Sequence, residues 1–176
     1  GYFLYCNHTQ LIGDVFTPAH ICNKKIYIVV SQANLGVAGI GPVLPMLGAL
    51  PTSDNIKHTK KLFNAVIQRI NEKKCVVIYP EAHVWPYYTK IRPFVTSAFK
   101  FPVFCNAPCF CITTTYYKRK LGKKPGIQVY VDGPFVPDNA LNKKEKQEKI
   151  CTQIQQKMIE RSKNSTYQYI KYKEEK

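Results

Sequence analysis

The chain has 176 residues, of which 26 are Lys or Arg and 11 are Asp or Glu, giving a formal charge of +15. Apolar residues make up 45% of it and aromatics 12%, which excludes a wholly disordered basic protein; twelve Pro, nine Gly and no short repeat exclude collagen-like and low-complexity architectures. What remains is a basic globular domain whose charge points to an anionic partner: nucleic acid, an anionic membrane surface or a phosphate-bearing metabolite.

In chain order, Tyr2–Cys6 is apolar and aromatic and reads as a strand that gives way to polar Asn7-His8-Thr9. The chain does not open on Met and this strand is already under way, so a preceding segment is expected. Ile26–Val30 is a β-branched run of strand length. The stretch from Leu35 to Pro51 is apolar but short of the roughly 20 residues a membrane-spanning helix needs, and its prolines break any helix. Thr52-Ser53-Asp54 offers N-cap choices for a helix over Ile56–Lys73, where Leu62, Phe63, Val66, Ile67 and Ile70 recur at helical spacing. Cys75–Tyr79 is another buried-type strand, stopped by Pro80. Pro102–Cys105, Phe110–Tyr116 and Ile127–Val131 are expected as further strands, and Asn142–Lys163 as a last helix with Ile150, Ile154 and Met158 on one apolar face. The alternation predicts an α/β fold with a mixed, largely parallel central sheet flanked by helices. Residues 1–163 read as the domain, and 164–176 as a charged tail expected to fray.

In such a sheet, ligands bind outside the carboxyl ends of the strands. Two polar clusters fall there: Asn7-His8 after the first strand and Glu81-Ala82-His83 after Tyr79-Pro80. If both strands are parallel in one sheet, the clusters converge. His8 with Asp14 downstream is a candidate general base with an orienting carboxylate. On one continuous helix, residues six apart would sit about 120° apart around the axis. The pair therefore meets only if His8 lies on a turn and Asp14 in the helix that follows, a bend that Gly13 eases. Glu81, delivered by a buried strand after a rigid Pro, places a charge in a cleft. Trp85, Tyr87 and Tyr88 form either an interfacial belt, the wall of an apolar pocket or a packed cluster.

Seven cysteines, an odd number spread over apolar segments, read as reduced thiols in a cytosolic setting. Cys105, Cys109 and Cys111 lack a zinc-type CxxC pair and read as small buried hydrophobes. Lys118 to Lys124 carries five charges in seven residues, expected as a loop between strands. Near an anionic leaflet each such charge is worth up to about 1 kcal/mol. Zinc-finger spacing, an RNP-like strand and an Arg-rich recognition helix are all missing from the sequence, and Lys outnumbers Arg, so nucleic acid is not expected as the partner.

Four segments together resemble a known family. Asn7-His8-Thr9-Gln10-Leu11-Ile12-Gly13-Asp14 is similar to the NHxxxxD motif of the glycerolipid acyltransferases, the group containing 1-acylglycerol-3-phosphate acyltransferase. Tyr79-Pro80-Glu81-Ala82-His83 resembles their FPEGT block, Gly41 to Leu50 their apolar second block, and Pro102 to Pro108 their short fourth block. The resemblance covers roughly residues 4 to 135, in the family's order. It implies that His8 is a general base oriented by Asp14, and that an acceptor hydroxyl attacks the thioester of acyl-CoA or acyl-carrier protein. That donor is a co-substrate; no metal or other cofactor is implied. Asn7, Pro80 and Glu81 would belong to the acceptor site, a lysophospholipid or glycerol phosphate, on the cytoplasmic face of an anionic membrane, held peripherally or by a preceding segment.

The sequence departs from the family in three places. Five residues separate His8 from Asp14 where the family has four, an offset of about 100° on a helix. Ala82-His83-Val84 replaces Gly-Thr-Arg, so Lys90 or Arg92 is expected to stand in for the phosphate-binding Arg. The Arg that often closes the second block is missing, with Lys57 the nearest cation. The alternative these changes keep open is a catalytically impaired protein of the same fold that binds anionic lipid.

Overall fold

Every side chain of Phe3–Cys6 is buried, so the first strand, β1 (Tyr2–Cys6), needs cover on both faces and a neighbour on both edges. The computed structural model, which describes residues 1–33, 44, 46, 48–53 and 55–173, supplies all four. The strands are β1, β2 (Ile26–Val30), β3 (Ala49–Pro51), β4 (Cys75–Ile78), β5 (Cys109–Tyr117) and β6 (Gly126–Phe135), in the sheet order β3-β2-β4-β1-β5-β6. β1 runs parallel to β4 and to β5, with Tyr5 opposite both Ile78 and Cys111. Only β6 is antiparallel, zipped to β5 from Tyr117↔Gly126 to Cys109↔Phe135. The fold is thus a mixed, largely parallel α/β sheet.

Period-two alternation sorts the strand residues onto the two faces. Phe3, Tyr5, Val76, Ile78, Cys109 and Cys111 face the larger core, which holds Val66 and Ile70 of α2 (Ile56–Asn71), Phe101 of α3 (Lys100–Cys105) and Ile150, Ile154 and Met158 of α4 (Lys143–Ser162). Leu4, Cys6, Cys75, Val77 and Ile112 face a smaller core, against which Cys22 packs at the end of α1 (Gly13–Ile21).

Local chemistry sets the helix limits. Asn142 caps α4 through a reciprocal box with Glu145, whose side chain returns to the Asn142 N–H. Asn55, one residue beyond the Thr52-Ser53-Asp54 choices, caps α2 by accepting from Lys57 N–H. Pro102–Cys105 is helical, not a strand as its apolar run implied; it forms most of α3, which closes on Asn106 in the left-handed conformation. Half of Gly41–Leu50 lies outside the described residues. The expected frayed tail is instead docked: Thr166 and Tyr167 N–H both donate to the Tyr116 carbonyl. Among the described residues no helix is long and apolar enough to cross a membrane.

All seven cysteines are free. The sulfurs of Cys22 and Cys75 lie 3.8 Å apart and share a hydrogen bond, which pulls the half-buried Cys22 thiol down, while the same contact and burial push Cys75 up. Cys22 should therefore be alkylated fastest of the seven, and more slowly as pH falls; peptide mapping after iodoacetamide pulses across a pH series checks this. Ile154 has no exposed surface, so Ile154→Ala should cost about 2–5 kcal/mol in a urea denaturation experiment.

Candidate active site

Because β1 and β4 are parallel neighbours, Asn7-His8 and Glu81 emerge side by side at the carboxyl edge of the sheet. Glu81 connects them. Its side chain has 0% exposure, and its two oxygens are fully engaged: Oε2 accepts from His8 N–H (2.9 Å) and from an Arg92 guanidinium nitrogen (3.0 Å), and Oε1 accepts from Arg92 N–H (2.9 Å). Arg92 is only 12% exposed; it also donates to the His83 carbonyl and lies over the Trp85 ring at 5.0 Å. Ala82, between Glu81 and His83, adopts φ +64°, a left-handed conformation that glycine takes without cost.

The segment after β1 is held at each residue. Asn7 is buried and bridges to β5, donating to the Thr114 carbonyl (3.0 Å) and accepting from Thr114 N–H (2.8 Å). The His8 and Thr9 carbonyls accept from Trp85 N–H (3.0 Å) and Tyr87 N–H (2.8 Å). Thr9 Oγ1 shares a 2.7 Å hydrogen bond with the buried Tyr116 hydroxyl. The tail backs this arrangement: Tyr172 stacks on Trp85 and donates to the Pro86 carbonyl, and Tyr169 meets Tyr87 edge-on.

His8 and Asp14 meet. Nδ1 lies 2.6 Å from Asp14 Oδ2, which also accepts from Gln10 N–H (2.9 Å). With Oδ2 acting as acceptor to both, Nδ1 is the protonated nitrogen of the neutral ring, and Nε2 is then its acceptor; Nε2 has no hydrogen-bond partner among the described residues, and the side chain is 24% exposed. The extra residue between His8 and Asp14 is absorbed by a turn at Leu11-Ile12, so that α1 starts at Gly13 and His8 stays outside the helix.

Tyr79 touches both members of this pair. Its ring packs on His8 with centroids 4.5 Å apart, and its hydroxyl donates to the Asp14 backbone carbonyl. Burial pushes the Tyr79 phenol well up, so it remains a donor. Sequence reasoning assigned no role to Thr9 and Tyr79, which it read only as members of motif-like segments, or to Tyr116, read as a strand residue. It also missed the exposed apolar cluster of Leu11, Ile12, Val15 and Phe16 around the start of α1, which the apolar spacing i, i+1, i+4, i+5 signals.

The other residues singled out by resemblance lie less directly at the pair. Pro80 is buried, its carbonyl accepting from Val95 N–H (2.9 Å). Lys90 is exposed and makes no ion pair among the described residues. Arg92 is committed to Glu81. The Lys118–Lys124 loop, following β5, stands exposed at the same carboxyl edge as His8.

No family model matches the chain, and no curated protein matches it in sequence. In three dimensions it is similar to the crystal structure of the 1-acyl-sn-glycerophosphate (LPA) acyltransferase PlsC from Thermotoga maritima, with a TM-score of 0.66 and 11% identity over 95% of this chain and 68% of that one. The chain has the PlsC acyltransferase fold. At this identity the likeness concerns the path of the backbone. Within that fold, Glu81 and Arg92 form a buried charge pair. Arg92→Ala strands the Glu81 carboxylate without its cation and should destabilise the protein by about 3–5 kcal/mol, read from denaturant midpoints, whereas a residue serving only a ligand would leave them unmoved.

Proposed function

We propose that the protein is an O-acyltransferase that moves a fatty acyl group from acyl-CoA or acyl-carrier protein to a hydroxyl of a lysophospholipid such as 1-acylglycerol-3-phosphate. The observation that carries this reading is the 2.6 Å His8–Asp14 contact at the carboxyl edge of a PlsC-type fold. In the proposed reaction, His8 Nε2 takes the proton of the acceptor hydroxyl as its oxygen attacks the thioester carbonyl. The tetrahedral intermediate collapses by breaking the C–S bond, and the imidazolium returns the proton to the departing thiolate. Asp14 holds the tautomer that leaves Nε2 free and steadies the imidazolium. Glu81 acts by fixing His8 N–H, and Arg92 by neutralising Glu81.

With Arg92 so engaged, recognition of an acceptor phosphate falls in this reading to Lys90 and the Lys118–Lys124 loop. The exposed Leu11, Ile12, Val15 and Phe16, together with the exposed basic loop, support a protein that works against an anionic membrane surface on its cytoplasmic face.

The test is thiol release from an acyl-CoA series with lysophosphatidic acid, other lysolipids and glycerol phosphate in detergent. Acceptor-dependent release should fall by about 10²–10⁴-fold in His8→Ala, with lipid binding retained. No release with any pair, from folded protein, would overturn the reading.

A further inference from the structure

Asp14 is the second residue of α1, and the regular donor to its carbonyl in a helix is the N–H four residues on. That residue is Pro18, which has no N–H, and whose ring crowds the carbonyl of the residue four before it and turns it away from the helix. Asp14 is buried, so water is poorly placed to replace the missing donor. The hydroxyl that does reach the carbonyl comes from another element: Tyr79, at the end of β4, with its ring against His8. The turn before α1 holds the additional residue, and its Ile12 N-cap makes no side-chain capping bond. The helix start that carries Asp14 thus lacks a side-chain cap before it and a regular donor after it.

We infer that Tyr79 is a positioning residue for the His8–Asp14 pair: its hydroxyl supplies the hydrogen bond that Pro18 withholds from Asp14, and so fixes the first turn of α1 where the carboxylate meets Nδ1. The inference rests on the catalytic reading of that pair, but its mechanical part stands on geometry alone. Tyr79 touches no reacting atom; it acts through Asp14 and the face of His8.

The experiment uses the intact protein with three readouts: thiol release, thermal melting, and the downfield proton NMR signal of the His8 Nδ1 proton shared with Asp14. Tyr79→Phe keeps the ring and removes the hydroxyl. It should remain folded, with kcat down by about tenfold to a hundredfold, KM unchanged and the Nδ1 proton signal broadened or moved upfield. Pro18→Ala added to that variant returns an N–H to position 18, and the double variant should recover both kcat and the signal. A Tyr79→Phe protein with wild-type kcat and signal overturns the inference, and so does a loss that Pro18→Ala leaves unrestored. If the wild type transfers no acyl group while the signal is lost and regained as described, the acyltransfer reading fails and the positioning role stands.

Discussion

A carboxylate with no exposed side-chain surface must find its counter-charge and its hydrogen bonds where it lies, or the chain does not fold around it. Glu81 finds them in two segments far apart in sequence: the N–H of His8, and the N–H and guanidinium of Arg92. The rest of the edge is arranged around that solution. Arg92 must lie inward, where Trp85 covers it; the Trp85–Tyr87 backbone then lies against His8 and Thr9; and the tail tyrosines close over that loop. His8 is therefore anchored through its main chain, while its imidazole is held separately through Asp14.

This division of labour separates two kinds of positive charge. Arg92 is structural, bound to a buried partner and fixed in direction. The Lys118–Lys124 loop and Lys90 are solvated, without ion pairs among the described residues, and are free to meet an anion. A Lys-rich surface of this kind attracts through field more than through shaped, bidentate contacts. In the acyltransferase reading, an acceptor met by such a surface would be selected more by where it is presented than by the outline of its headgroup.

Much of the fold was legible because the strands carry their burial in their composition. Cys75–Ile78 is an uninterrupted apolar run, as a doubly covered parallel strand requires, and Ile26–Val30 is a β-branched run that is half-buried along its length. Pro102–Cys105 misled for the same reason: four apolar residues are too few to show a period, and tertiary contacts of Phe101 decide for helix. The proximity of His8, Asp14 and Glu81 was readable from strand ends and spacing. The destinations of Asn7, Glu81 and Arg92 were not, because a polar residue looks alike in sequence whether it faces a ligand or completes the Thr114 backbone. Tyr79 was hidden twice over: its partner is a main-chain atom, and the cause of that contact is a missing proton on Pro18.

The central position of β1 has a consequence for how the molecule assembles. Its neighbours are strands made much later: Tyr2 pairs with Cys75, and Phe3 with Cys109. While the chain is being synthesised, an apolar strand with two open edges waits for both, in the state most prone to pair with the wrong partner and most dependent on chaperones. Contacts of such long sequence separation also form slowly, since each closes a large loop. The His8 turn follows a strand paired with both, so its native surroundings need both in place. In the acyltransferase reading, turnover should therefore appear only with complete folding.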